Sequence, residues 1–183
     1  MFIQTEPTPN PATLKFLPGR EVMGAGTADF TDSEQTASSP LAQSLFGVEG
    51  IRGVFFGADF VTVTKDEDQE WHVLKPTILG VIMEHFTAGR PVVLDEASET
   101  PPASEDDDPI VSQIKELIET RVRPAVAQDG GDITFESFES GVVYLTMRGA
   151  CAGCPSSTAT LKMGIENMLK HYIPEVVEVR SVY

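Results

Sequence analysis

The sequence predicts an α+β protein made of two small α/β-layered domains joined by a flexible acidic linker, the second domain running α-β-β-α-β. Three observations carry this expectation. Residues 95–109, DEASETPPASEDDDP, contain seven acidic residues, three prolines and no basic residue. Such a stretch buries too little apolar surface to offset its ordering entropy. On either side of it, short β-type apolar runs mix with apolar residues at helical spacing. The 183 residues, 41% of them hydrophobic, suffice for two modest cores. The domains are therefore 1–94 and 110–183, with the linker 95–109 between them.

In the first domain, apolar runs near residues 2–5 and 13–17 read as strands, and residues 41–46 as a helix. Residues 51–56 and 60–64 flank Gly57-Ala58-Asp59, a hairpin signal. Pro76 fits the first position of a helix carrying Ile78, Leu79, Ile82, Met83 and Phe86 and stopped by Gly89. In the second domain, Asp108-Pro109 reads as the cap and first residue of a helix with the stripe Ile110, Ile114, Leu117 and Ile118. Pro124 should break or kink it. Asp129-Gly130-Gly131-Asp132 is a sharp turn, with glycine permitting positive φ. Strands follow at about 133–138 and 142–147, joined through Glu139-Ser140-Gly141. A second helix opens at Cys154-Pro155 with Leu161, Ile165, Met168, Leu169 and Tyr172 on one face, and residues 176–182 close as a strand.

Charge and length exclude several functions. Thirteen basic against 28 acidic residues give a net charge of −15. Neutralising phosphates needs clustered Lys and Arg, so neither nucleic acid nor an anionic membrane surface is an expected partner. No stretch reaches the roughly 18–20 apolar residues of a spanning helix. The acidity is uneven: residues 1–94 carry 6 basic and 12 acidic groups, residues 110–183 carry 7 and 9. The N-terminus, MFIQTEPTPNP, lacks a secretory or Arg-rich transit pattern. That favours a cytoplasmic setting, with the mitochondrial matrix, for a mature chain, as the alternative.

Chemistry concentrates in Arg148-Gly149-Ala150-Cys151-Ala152-Gly153-Cys154-Pro155-Ser156-Ser157. Cys151 and Cys154, the two cysteines of the chain, lie between a predicted strand and a predicted helix. A turn with this spacing can aim both sulfurs at one metal or cluster. Gly149 and Gly153 allow close backbone approach, Pro155 suits the helix start, and the helix N-terminus favours thiolate over thiol. Arg148 adds to that field.

Three readings compete. Two inert buried cysteines are one, opposed by the scarcity of apolar neighbours in the motif. A dithiol/disulfide redox centre is the second. Against it, two strands precede the motif rather than a βαβ unit, and 74 residues is short for a thioredoxin-like fold. Metal ligation is the third. Iron–sulfur clusters and structural zinc usually take four ligands, so two cysteines per chain imply two chains across a twofold axis, or thiols supplied from outside. A purely structural zinc leaves the appended acidic domain without a role. Of the three histidines, His72, His85 and His171, the last two fall on predicted helices with no second ligand at i+3 or i+4, which points to surface or core roles for them.

The motifs as a set resemble a known family. Arg123-Pro124, Asp129-Gly130-Gly131-Asp132 and the run from Gly149 to Ser157 are similar to the C-terminal domain of NifU-type proteins. Thr5, Pro9-Asn10-Pro11, Leu14-Lys15-Phe16, Gly53-Val54-Phe55, Trp71 and Lys75-Pro76 resemble the N-terminal domain of Nfu-type scaffolds. The resemblance implies a non-enzymatic iron–sulfur cluster scaffold and carrier. On that basis Cys151 and Cys154 are the ligands of a [4Fe–4S] cluster bridging two subunits, and the chain is a homodimer when loaded. Upstream cluster-assembly proteins supply it, apo iron–sulfur proteins receive the cluster, and residues 1–94 dock partners.

Overall fold

A computed structural model describes residues 2–24, 26–94, 108–152 and 155–182; of residues 155–157 it describes the backbone only. The chain divides into two compact units, Met1–Thr100 and Pro101–Tyr183. Residues 95–107 of the acidic linker, Gly153 and Cys154 lie outside the described residues.

The first unit is a five-stranded antiparallel sheet with helices against it. Strands β1 (Gln4–Pro7), β2 (Thr13–Leu17), β3 (Ala28–Phe30), β4 (Ile51–Phe56) and β5 (Val61–Lys65) lie in the order β1-β2-β5-β4-β3. Helix α1 (Pro40–Phe46) starts with Ser39 accepting the Ala42 amide at 3.1 Å and Pro40 at its first turn. Strand alternation sends Phe16, Val54, Phe56, Val61 and Val63 into a core shared with Leu41, Leu45, Ile78 and Ile82. Phe55 points the other way and is buried beside Phe60, ring centroids 5.9 Å apart.

Helix α2 (Trp71–Thr87) begins five residues before Pro76, which sits inside it rather than at its start. Tertiary contacts outweigh the proline. The Trp71 indole N–H donates to the Pro11 carbonyl at 3.1 Å, Leu74 is buried, and the Val73 and Leu74 amides close on Glu70 at 3.0 and 3.1 Å. Pro76 removes the donor that the His72 carbonyl would receive. His72 is exposed, so water can take that place. Gly89, at φ 67°, ends the helix as the sequence implies.

The second unit packs helices on a three-stranded mixed sheet. Asp108 accepts the Ile110 amide at 2.9 Å and caps α3 (Pro109–Leu117). Pro124 does not break the helical run. The chain widens into one π-type segment (Ile118–Val122) and continues as α4 (Arg123–Gln128), with the Arg123 amide donating to the Ile118 carbonyl. The wider turn absorbs the donor that Pro124 lacks. Strands β6 (Gly131–Glu139) and β7 (Val142–Gly149) form a hairpin whose corner, Ser140 at φ 50° and Gly141 at φ 82°, takes two successive left-handed residues. Helix α5 (Pro155–Tyr172) leads to β8 (Glu178–Val182), which pairs with β7 in parallel. Ile114, Ile118, Val122, Ile133, Val143, Leu145, Ile165, Leu169 and Val179 form the core. Tyr172, assigned by spacing to the apolar face of α5, is instead 42% exposed with the Arg121 guanidinium over its ring at 5.1 Å. It lies on the last residue of the helix, where the helix ends.

Candidate metal centre

The site begins where β7 ends. Gly149 adopts φ 66°, turning the chain out of the strand. The Ala150 amide then donates to the Gly130 carbonyl at 3.2 Å and the Ala152 amide to the Gly149 carbonyl at 3.1 Å. These bonds hold Cys151 at the mouth of α5, and Thr158 Oγ1 on the first turns of that helix donates to the Cys151 carbonyl at 3.2 Å. The first turn of α5 leaves its amides without helical partners and presents the positive end of its dipole.

The floor of the site is the segment Asp129-Gly130-Gly131-Asp132, and its register explains why residues so far apart in sequence act together. Gly131 pairs with Gly149 and Asp132 with Arg148 across the ladder. Gly130, at φ 81°, supplies the turn expected of glycine. Gly131 does something else. A Cβ on it would lie 2.5 Å from Cys151 Sγ, 2.9 Å from the Arg148 carbonyl oxygen and 3.1 Å from the Cys151 nitrogen. The cysteine occupies space that any other residue at 131 would fill.

Cys151 is 6% exposed and packs into the core of the second unit. The scarcity of apolar residues within the motif therefore misleads: β6, the helices and the core supply the packing that the motif lacks. Beside it, Arg123 donates from Nε to Asp132 Oδ1 at 2.8 Å and from Nη2 to Oδ2 at 3.0 Å, while its Nη1 reaches both Glu119 oxygens at 2.9 and 2.8 Å. Asp132 also accepts the Ile133 amide at 2.9 Å. The hydrogen bonding of Arg123 to the Asp132 carboxylate is the main reason the Arg123 pKa rises above its already high ordinary value. Arg123 keeps its positive charge throughout.

The placement of the predicted ligands is thus partly described. Cys151 sits at the strand-to-helix turn, and Cys154 lies outside the described residues. Among the described residues no group of three or more His, Cys, Asp or Glu side chains could hold an ion. The histidines stay apart from the site. His85 is buried in the first unit, His72 is exposed near Glu70, and His171 stacks edge-on with Tyr172 at 5.1 Å. One objection to the redox reading weakens here: β7, α5 and β8 form a parallel βαβ unit, with the cysteine turn at its strand-to-helix corner. Sequence reasoning missed the Arg123–Asp132 pair and the role of Gly131. The second glycine of Asp129-Gly130-Gly131-Asp132, beyond the one the turn needs, was the available signal.

Fold and site define a two-unit α+β chain that carries a buried thiol at a helix N-terminus on its second unit. Comparison with known proteins places it more narrowly. Residues 3–89 match the family model described as scaffold protein Nfu/NifU N terminal, and residues 114–180 match the NifU-like domain. The whole chain is 55% identical over 185 residues to a protein of Drosophila erecta named NFU1 iron-sulfur cluster scaffold homolog, mitochondrial, covering 65% of it. It is 52% identical over 188 residues to NifU-like protein 5, mitochondrial, of Arabidopsis thaliana, covering 68% of that protein. The solution structure of a NifU-like protein from Saccharomyces cerevisiae is similar over 52% of this chain and 87% of that one, at 30% identity and a TM-score of 0.48. The chain belongs to the Nfu/NifU family of iron–sulfur cluster scaffold proteins. It spans 65% and 68% of the length of the Drosophila and Arabidopsis relatives.

Proposed function

We propose that the chain carries a [4Fe–4S] cluster between the Cys151 and Cys154 pairs of two copies and passes it to apo iron–sulfur proteins. The observation that supports this most is Cys151 at the mouth of α5, in a chain whose 183 residues include two cysteines. Two chains supply the four thiolates such a cluster needs, so opening one interface is enough to release it. The transfer is ligand exchange. A thiolate of the recipient forms a bond to a cluster iron as the bond from that iron to Cys151 or Cys154 breaks. The displaced thiolate takes a proton from solvent, and the cluster keeps its oxidation state. No bond of the recipient's backbone is made or broken, and the carrier is not an enzyme.

Residues 1–94 form the partner-docking domain in this reading, and 95–109 tether it to the cluster-binding domain 110–183. Upstream assembly proteins load the dimer. The mitochondrial names of the relatives support the matrix rather than the cytoplasm as the setting. Cys151→Ser and Cys154→Ser should each abolish stable binding of iron and sulfide while the second unit stays folded. Normal iron and sulfide in either variant would remove the assigned ligands. The runner-up is a dithiol redox protein, favoured by the βαβ placement of the cysteine turn; it predicts disulfide reductase activity in the metal-free chain.

A further inference from the structure

Gly131 is a glycine for a reason its backbone does not demand. Its φ lies outside the left-handed region, unlike that of Gly130 or Gly149. The demand is steric: the Sγ of Cys151 lies 2.5 Å from where a Cβ would stand, and the Arg148 carbonyl oxygen 2.9 Å. Cβ atoms do not tolerate such approaches, so a side chain at 131 must displace either the thiol or the end of β7.

We infer that Gly131 is a positioning residue for Cys151: it forms a seat on which the thiol rests in the cluster-free chain, withheld from solvent until the turn 149–152 moves. Three features fix the seat. The Asp132 carboxylate beside it is clamped by Arg123 at two points. The turn above it is tied down by the Ala150 amide on the Gly130 carbonyl at 3.2 Å. The Cys151 backbone is held by the Thr158 hydroxyl, which donates to its carbonyl. With 6% of the residue exposed, a cysteine seated here offers little surface to an iron that a second chain also holds. Loading therefore requires the turn to lift Cys151 off Gly131, and unloading returns it to cover. Seated, the thiol is also shielded from alkylating and oxidising reagents, whose access follows thiolate exposure. The purpose of the seat rests on the ligand role proposed for Cys151, whereas the seat itself is a property of the chain without metal.

The test needs no cluster. In the full-length, reduced, metal-free chain carrying Cys154→Ser, Cys151 is the single thiol, and its rate of reaction with N-ethylmaleimide is followed by mass spectrometry. The rate in native buffer should be at least about tenfold below the rate in urea, the factor that ~1.4 kcal/mol makes in an opening equilibrium. Adding Gly131→Ala should bring the native rate close to the urea rate. Gly141→Ala serves as control, because it strains the far corner of the same hairpin at φ +82° and should leave labelling slow. Equal native and urea rates in the parent, or no acceleration by Gly131→Ala beyond that of the control, overturns the inference. Should Gly131→Ala not fold, the single-thiol parent decides: a native labelling rate about tenfold or more below the urea rate supports the seat, and equal rates contradict it. Iron and sulfide counts on Cys151→Ser judge the ligand role separately.

Discussion

Arg123 and Asp132 meet at two points, at 2.8 and 3.0 Å, and this pair fastens the helical layer of the second unit to the strand that carries Gly131. Asp132 has 5% of its side chain exposed and Arg123 22%. A planar guanidinium matched to a carboxylate gives direction as well as energy. Arg123 follows directly on the π-type turn at Ile118–Val122, its amide donating to the Ile118 carbonyl. The pair thus holds the residue next to Gly131 in the floor under Cys151.

Asp132→Asn keeps the shape but removes the carboxylate charge and puts an N–H donor where one of the two oxygens accepted from Arg123. Removing one partner of a largely buried pair should cost roughly 2 kcal/mol. In a unit of this size that is a fall in Tm on the order of 10 °C. Thermal melting of the full chain, followed by tryptophan-independent far-UV signals, checks it; an unchanged Tm would mean the pair contributes only surface electrostatics.

Pro76 supplies a contrary case, in which a substitution should stabilise. It lies inside α2 and deprives the His72 carbonyl of a helical donor. Pro76→Ala restores that donor and removes the ring, and should raise the stability of the first unit by about 1–3 kcal/mol. Urea unfolding monitored by Trp71, the single tryptophan, reads this unit directly. A loss of stability would show that the proline ring packs against something more valuable than the bond it removes.

How much of this was legible in the sequence differs from element to element. The hairpins, the capped start of α3 and the α-β-β-α-β order followed from spacing and from turn residues, because those signals are local. The start of α2 did not, because Trp71 on the Pro11 carbonyl is a contact across 60 positions, and it overrides the local preference of Pro76. The cysteine motif was visible as a motif, but the burial of Cys151 was not. Its cover comes from Gly131, twenty positions earlier, brought opposite Gly149 by strand register. Arg123-Pro124 could be read as part of a family pattern without disclosing that Arg123 holds Asp132.

His85 makes the stability of the first unit depend on pH. It is 2% exposed, and neither ring nitrogen has a hydrogen-bond partner among the described residues. Burial, and then the nearby charge of Arg90, lower its pKa from the ordinary histidine value of 6.5; backbone groups of Arg90 and Pro91 oppose this without forming a bond of good geometry. A folded-state pKa below the unfolded one means the neutral ring is favoured by folding. The stability it contributes is therefore present above about pH 6.5 and is lost as the pH falls through the lowered folded value. His85→Leu should flatten this part of the stability profile between pH 7 and 5. An unchanged slope in that variant would place the acid sensitivity elsewhere.

The central claim is that two chains share one cluster through Cys151 and Cys154. Native mass spectrometry under anaerobic conditions, after reconstitution with iron and sulfide, tests it most directly. A dimer carrying four irons and four sulfides, absent in Cys151→Ser, is the expected result. A cluster-free monomer two mass units light, the signature of a Cys151–Cys154 disulfide, would contradict it and bring the redox reading forward.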